Sequence, residues 1–159
     1  MEQLIKRIVK MTLALAMILT LLPMNIMAEQ SDLNTLIIDD FSDQFEYSEG
    51  NANNGGWDCY PEDGSGDATT TEHWSNTVGA SLKIKFNGSR ITLFGKKATN
   101  HKKFSVRIDD QTVSTCDAYA ANKTDNNSVL YDSKDAGIVL QEGSHTLVLT
   151  ILDEVNENA

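Results

Sequence analysis

Residues 80–86 alternate strictly between apolar and polar side chains, and they read Ala80-Ser81-Leu82-Lys83-Ile84-Lys85-Phe86. Successive side chains of a β-strand point to opposite faces, so a period of two predicts a strand with one buried face. Asn87 and Gly88 follow directly and predict a hairpin turn into a second strand at 89–96. The alternation returns at 104–108, where Asp109-Asp110-Gln111 predicts a turn into a strand at 112–117.

The rest of the chain continues this rhythm of short strands and turn residues. We expect further strands at 36–40, 45–48, 69–75, 128–131, 137–140 and 145–152. Two stretches, 49–67 and 118–127, interrupt the rhythm and are predicted as long loops, the places where binding residues usually lie. Many short strands with regular turns are typical of an all-β domain built as an antiparallel β-sandwich or barrel.

The N-terminal residues are predicted to be a secretory signal peptide, 1–28. Lys6, Arg7 and Lys10 precede an apolar run at 11–22, and Ala28 closes a plausible cleavage site. A membrane anchor is the alternative, but spanning a bilayer takes roughly 20 apolar residues and this run is shorter. We therefore expect a secreted protein with a linker at 29–34, one module at 35–152 and a frayed tail at 153–159.

The charge of the chain excludes one class of partner. It carries 13 basic and 23 acidic side chains, for a net charge of −10, and cleavage of the signal peptide would remove three of the basic ones. Such a surface repels nucleic acid and anionic lipid headgroups. We expect no nucleic-acid partner, and no membrane partner after the signal peptide is cleaved.

Two features bear on cross-links and metals. Secretion into an oxidising compartment allows a single disulfide between Cys59 and Cys116. Asp63-Gly64-Ser65-Gly66-Asp67 resembles the start of a calcium loop, although the later ligand positions of an EF-hand are missing. A solvated acidic loop is one interpretation of this stretch, and a structural Ca²⁺ held by Asp63 and Asp67 is the other.

Motifs for catalysis are missing from the sequence. No Gly-x-Ser-x-Gly elbow and no phosphate-binding glycine loop occurs. His73, His101 and His145 are scattered without metal-ligand spacing, and His145 at a strand start is better explained as a structural residue. We therefore expect no enzyme activity.

Aromatic residues in loops and near strand ends are the stronger indication of function. Sugar rings have apolar C–H faces and a rim of hydroxyls, so a sugar site pairs a flat aromatic side chain with polar groups. The alternative is that the two tryptophans pack in the core, as buried tryptophan often does. The candidate ligand-binding residues are Trp57, His73, Trp74, Lys97, Asn100, Tyr119 and Tyr131. Tyr60 is a further aromatic residue of these loops, and Asp58 and His101 are further candidate polar partners.

A series of segments in this order resembles a galactose-binding-domain-like β-sandwich module. The segments are Tyr47-Ser48-Glu49-Gly50, Gly56-Trp57, His73-Trp74-Ser75-Asn76-Thr77-Val78-Gly79-Ala80, Phe86-Asn87-Gly88-Ser89-Arg90-Ile91, Phe94-Gly95-Lys96-Lys97, Val106-Arg107-Ile108-Asp109-Asp110, Cys116-Asp117-Ala118-Tyr119, Val129-Leu130-Tyr131 and Glu142-Gly143-Ser144-His145-Thr146-Leu147.

The resemblance implies a jelly-roll fold and a non-catalytic carbohydrate-binding module of a secreted bacterial glycoside hydrolase or related enzyme. Such a module holds a glycan and keeps an attached or partner catalytic domain near its substrate, with no required cofactor. In that pattern a further strand follows the one at 145–152, so we expect either a fragment of a longer protein or a sheet with an unpaired edge. A structural or adhesive spacer that contacts protein at the cell surface is the alternative function.

Overall fold

The computed structural model describes residues 35–62, 65–66 and 70–159, and the predicted signal peptide and linker lie outside this range. Within the described residues the chain is all-β and contains no helix. Residues 38–159 form one unit. The described residues of this unit form nine strands, which are β1 (Phe45–Tyr47), β2 (Asp58–Tyr60), β3 (Glu72–Trp74), β4 (Ser81–Asn87), β5 (Thr92–Gly95), β6 (Lys103–Ile108), β7 (Gln111–Asp117), β8 (Ser128–Asp132) and β9 (Ser144–Ile151).

Five strands form the main antiparallel sheet, in the order β1-β4-β9-β6-β7. The alternation at 80–86 has the predicted effect, since Leu82, Ile84 and Phe86 are buried on one face. Strand β9 lies between β4 and β6, and its Leu147 is paired with both Ile84 and Ile108. The remaining strands form two antiparallel pairs, β2–β3 and β5–β8.

The hydrophobic core lies on the buried face of the five-stranded sheet. Strands β4, β6 and β9 contribute most of it, and the β5–β8 pair adds Tyr131, with Leu93 packed against the cluster. Residues Leu93 and Tyr131 are register partners, so one face of this short ribbon covers the core. Apolar burial of this kind is the main favourable contribution to folding.

A buried carboxylate holds the β5–β8 pair together. Asp132 accepts hydrogen bonds from Arg90 Nη2 at 2.8 Å and from Thr92 Oγ1 at 2.5 Å. Burial raises the pKa of Asp132, but these hydrogen bonds outweigh burial and bring the pKa down to about 2. The carboxylate is therefore ionised and fully paired, as a buried charge must be.

The turn predicted at Asp109-Asp110 is confirmed. It joins β6 to β7 with Ile108 and Gln111 as register partners, so the loop has two residues. Both aspartates have positive φ, 48° and 66°, which is the backbone of a type I′ hairpin turn. Asp and Asn tolerate this conformation better than most residues, which explains why aspartates occupy both turn positions.

The hairpin predicted at Asn87-Gly88 is wrong. Strand β4 pairs with β1 and β9, whereas β5 pairs with β8, so the turn leads the chain away from the sheet. Gly88 N–H donates to the carbonyl of Gly143 at 2.9 Å, which extends the β4–β9 pairing by one bond. The dipeptide ends a strand here without joining two neighbours.

Other predicted strand positions also differ from the structure. No strand covers 36–40 or 137–140. At 132–138 the chain instead makes successive turns, in which Ala136 N–H donates to the Asp132 carbonyl and Ile138 N–H to the Ser133 carbonyl. Conversely, β2 lies inside the stretch that was predicted as a loop, because its three residues depend on pairing with β3.

The segment predicted as a frayed tail, 153–159, makes hydrogen bonds to the five-stranded sheet. Lys103 N–H donates to the carbonyl of Glu154 at 2.9 Å. Asn156 Nδ2 donates to Asp117 Oδ2 at 2.6 Å. These bonds attach the chain to β6 and β7 as far as Asn156.

Candidate functional site

The β2–β3 ribbon carries the candidate site. Its register pairs Asp58 with Trp74, Cys59 with His73 and Tyr60 with Glu72. Directly opposed residues of an antiparallel pair share a face, so Cys59 and His73 lie on one side of the ribbon. The other side carries the remaining four side chains, Asp58, Tyr60, Glu72 and Trp74.

A glycine-rich loop places the start of this ribbon. The backbones of Gly50 and Gly56 approach so closely that a Cβ at Gly56 would overlap the carbonyl of Gly50, and Gly50 has a φ of +110°. The loop is attached to the chain just after β3, because Asn76 N–H and Thr77 Oγ1 both donate to the Ala52 carbonyl. Trp57 and β2 are thereby brought beside β3.

Trp57 is anchored to the sheet and packs against the core. Its Nε1–H donates to the Ser81 carbonyl at 2.9 Å, and its indole contacts the Tyr47 ring at a centroid distance of 5.6 Å. Trp57 is only partly exposed, whereas Trp74 on the outer face of the ribbon is 40% exposed. The two tryptophans thus have different roles: one supports the ribbon and the other is accessible to a ligand.

His73 lies on the inner face in a network of polar and aromatic contacts. Its Nδ1 is 2.7 Å from Asp40 Oδ2, and Thr71 Oγ1 donates to Asp40 Oδ1 at 2.9 Å. The Tyr47 ring stacks on the imidazole at 4.1 Å, and the Phe41 ring contacts it at 4.6 Å. These contacts fix both the position and the orientation of the imidazole.

The ionisation of this network follows from its contacts. Burial raises the pKa of Asp40, but hydrogen bonds from His73 and Thr71, together with the His73 charge, outweigh burial, and the net pKa is lowered. Burial also raises the pKa of Tyr47 strongly, with the charges of Asp40 and Asp39 adding to it. Tyr47 is therefore a neutral phenol, and its O–H donates to the Asp40 carbonyl at 2.8 Å.

A cleft of about 440 Å³ opens along the ribbon. Aromatic and acidic side chains line it, and Tyr60 is 63% exposed. Glu72, beside the cleft, is paired with Lys96 at 2.6 Å, which links β3 to the residue that follows β5. The lining residues are Trp57, Asp58, Cys59, Tyr60, Glu62, His73 and Trp74.

The cleft unites only part of the predicted ligand site. Trp57, His73 and Trp74 line it, but Lys97, Asn100, Tyr119 and Tyr131 do not. Tyr131 is 3% exposed and belongs to the core cluster, so its ring has no free face for a ligand. Its hydroxyl is buried, and no residue in the described part of the chain forms a hydrogen bond with it.

The three remaining residues lie around another loop. Lys97 N–H donates to Thr124 Oγ1 at 2.8 Å, and Tyr119 N–H donates to Asp117 Oδ1 at 2.9 Å. Asn100 is exposed in the turn before β6. The backbone N–H groups of Lys97 and Tyr119 therefore stabilise the loop conformation.

The predicted disulfide is absent from the structure. Cys59 and Cys116 are both free thiols, with different neighbours. Cys59 Sγ is 3.8 Å from the carbonyl of Glu62, whereas Cys116 lies on β7 opposite Phe104. Burial raises the pKa of the Cys116 thiol. A hydrogen bond with Ser114 and the charge of Lys97 lower this pKa, but by less than burial raises it.

The proposed calcium ligands Asp63 and Asp67 lie outside the described residues. Among the residues that the structure does describe, no group of three or more His, Cys, Asp or Glu side chains is arranged to hold a metal ion.

A second histidine–aspartate pair lies at the β6–β7 turn. His145 Nδ1 is 2.6 Å from Asp109 Oδ2, and its Nε2 is 2.7 Å from the Gln141 carbonyl. A carboxylate and a carbonyl both accept, so this geometry favours the form of the ring that is protonated on both nitrogens. The hydrogen bonds with Asp109 and Gln141 raise the pKa of His145 accordingly. The structural role predicted for His145 is confirmed.

The chain matches no protein-family model and no curated protein sequence. Within the described residues, no helix has the length and hydrophobicity needed to cross a bilayer.

Proposed function

We propose that this chain is a secreted, non-catalytic carbohydrate-binding module with a jelly-roll β-sandwich fold. It holds a glycan at the β2–β3 ribbon and keeps an attached or partner glycosidase near its substrate. The observation that carries the proposal is the outer face of the ribbon, where Tyr60 and Trp74 are exposed side by side with Asp58 and Glu72.

The chemistry of that face suits a neutral sugar. Tyr60 is opposite Glu72 and Trp74 is opposite Asp58, so the two aromatic rings are diagonal neighbours, about 7–8 Å apart at the backbone. A sugar ring stacks its C–H face on such a ring, and its hydroxyls bond to carboxylate oxygens at the edge. Tyr60 was noted among the aromatic residues of the sequence but not placed in the site, since its role depends on pairing with β3.

A shallow open site of this kind binds weakly. Two aromatic rings cover one or two sugar units, so we expect dissociation constants in roughly the micromolar to millimolar range.

The test is a glycan-array screen of the secreted chain, run once with calcium and once with chelator. We expect binding to one class of sugar, with Trp74→Ala and Tyr60→Ala each losing it. Tyr119→Ala is the matched control, because this aromatic residue lies outside the cleft. Binding that survives both cleft substitutions, or a folded protein that binds no glycan, contradicts the proposal.

A structural or adhesive module that contacts protein is the second candidate. Phe94 and Val129 are register partners on β5 and β8, and they are 60% and 44% exposed. An exposed apolar pair of this kind suits a protein contact. This function would be favoured if the protein bound no glycan on the array but bound immobilised cell-surface protein, and if Phe94→Ser lost that binding.

A further inference from the structure

The inner face of the ribbon brings together a thiol, an imidazole and a carboxylate. We propose that Cys59 is a reactive thiol that exchanges with low-molecular-weight disulfides, with His73 as its proton acceptor and Asp40 as the residue that positions His73. The thiol and the imidazole lie on the inner face of the ribbon and the aromatic rings proposed to hold a sugar lie on the outer face, but both sets of residues line the same cleft.

The strand register places the thiol beside the imidazole. Cys59 and His73 are directly opposed on antiparallel strands, so they share a face with Cβ atoms roughly 4.5–5.5 Å apart. Both residues also line the same cleft, which is open to a small molecule. In the structure the thiol points to the Glu62 carbonyl at 3.8 Å, a weak contact that rotation about Cα–Cβ breaks at little cost.

The orientation of His73 leaves one ring nitrogen available to accept a proton. Asp40 is a carboxylate that accepts from Nδ1, and this fixes a proton on Nδ1 and leaves Nε2 with its lone pair in the neutral ring. No described residue bonds to Nε2. Tyr47 and Phe41 hold the ring plane. A base oriented by a third group beside a nucleophile is the general arrangement for activating a thiol.

Cys116 provides an internal comparison. It is a free thiol too, but it packs against the core on β7, and its register partner on β6 is Phe104, whereas the register partner of Cys59 is a histidine. The two cysteines of one chain are therefore expected to differ widely in rate.

The reaction balances without a metal or an enzyme partner. The Cys59 proton passes to His73 Nε2, and the thiolate attacks one sulfur of the disulfide. A new S–S bond forms, the old one breaks, and the leaving thiolate takes the electron pair and then the proton from His73. Cys59 is oxidised and the small disulfide is reduced to one free thiol and one mixed-disulfide half.

The charge of the cleft selects the disulfide. Asp58 and Glu62 line the cleft on either side of Cys59, and no Lys or Arg is among the lining residues described. Like charge disfavours an anionic disulfide and opposite charge attracts a cationic one. Cystamine, which is cationic, is thus expected to react several-fold faster than dithiodipropionate, with the difference shrinking as salt is added.

The experiment measures release of thiopyridone from 4,4′-dithiodipyridine at neutral pH. We expect Cys116→Ser, which keeps Cys59, to react at least about tenfold faster than Cys59→Ser and than free glutathione. Adding His73→Gln to Cys116→Ser should lower the rate by about tenfold or more. Adding His101→Gln should leave it unchanged, since His101 is bonded to the Lys96 carbonyl outside the cleft.

Three results would overturn the proposal. The first is a Cys59 that reacts no faster than Cys116 or glutathione, a comparison that needs no histidine variant to fold. The second is a folded His73→Gln variant with an unchanged rate. The third is purified protein without free thiols and lighter by two hydrogens, which would show a Cys59–Cys116 disulfide.

Discussion

The cleft on the ribbon and the β6–β7 turn each contain a histidine whose Nδ1 contacts an aspartate, at 2.7 Å in His73 and 2.6 Å in His145. At the turn, the second nitrogen also has a partner, the Gln141 carbonyl, so both nitrogens face acceptors and the protonated ring is favoured. In the cleft, aromatic rings hold the imidazole and leave its Nε2 unused by the described residues.

The two histidine–aspartate pairs show how the same two residue types serve two purposes. A histidine with both nitrogens bonded can only stabilise the structure, because it has no atom left for a ligand. A histidine with one nitrogen bonded and its faces packed is positioned and still has one nitrogen for chemistry.

The largest effect is expected where aromatic packing supports the cleft. Trp57→Ala removes the contact with Tyr47, the hydrogen bond to Ser81 and packing against the core, so it should cost about 3 kcal/mol in the free energy of unfolding. Trp74→Ala, on the exposed face, should cost less than about 1 kcal/mol. Urea unfolding of both variants measures this, and equal losses would mean that Trp74 is also a packing residue.

The next effect separates the two histidines directly. His73→Ala loses two ring contacts and the ion pair with partly buried Asp40, which keeps only its hydrogen bond from Thr71, for a cost of about 2 kcal/mol. His145→Ala breaks an ion pair at a surface turn, for about 1 kcal/mol or less. Chemical unfolding at pH 6 compares them, and a larger loss at His145 would reverse our assignment of which histidine the fold depends on more.

The smallest effect is a pH dependence confined to the turn. The pKa of His145 is raised above its ordinary 6.5 by Asp109, then by the Gln141 carbonyl, with the charges of Asp109 and Glu142 adding to it. Its contribution is therefore complete below pH 6.5 and is lost as the pH rises through the folded-state pKa. The stability difference between the wild type and His145→Gln should shrink over that range.

Asp109, the partner of His145, gives the corresponding pH dependence at low pH. The pKa of Asp109 is lowered by the hydrogen bond with His145, then by the Thr146 N–H. The contribution of Asp109 to stability is therefore fully present above pH 3.8, and it is lost as the pH falls through the lower pKa of the folded state. A difference between wild type and His145→Gln that grows above pH 7 would contradict the assignment of a cationic ring.

Local pattern was sufficient for the strands of the main sheet. The alternations at 80–86 and 104–108 decide which side chains are buried, and Asp109-Asp110 fixes a turn because its backbone needs positive φ. Partner choice is a non-local property, which is why Asn87-Gly88 was assigned to a hairpin that does not form. Strand β2 has only three residues, too short for any periodicity to show.

The candidate site was predictable only in part for the same reason. Residue type alone singled out Trp57, His73 and Trp74, and pairing of β2 with β3 brings them to one cleft. Nothing local links Asp40 to His73, since the two are far apart along the chain and meet only when the sheet has formed. Tyr131 carried the same aromatic signal as Trp74, but the fold places it in the core.

The position of β9 has a consequence for how this chain reaches its folded state. Strands β4 and β6 are both neighbours of β9 and not of each other, yet β9 comes after both in the sequence. The β1–β4 pair and the β6–β7 hairpin can form earlier, but they can join into one sheet only after residues 144–151 have been synthesised, which requires the closure of long loops. We therefore expect slow folding, with the central part of the sheet forming only after the last strand is available.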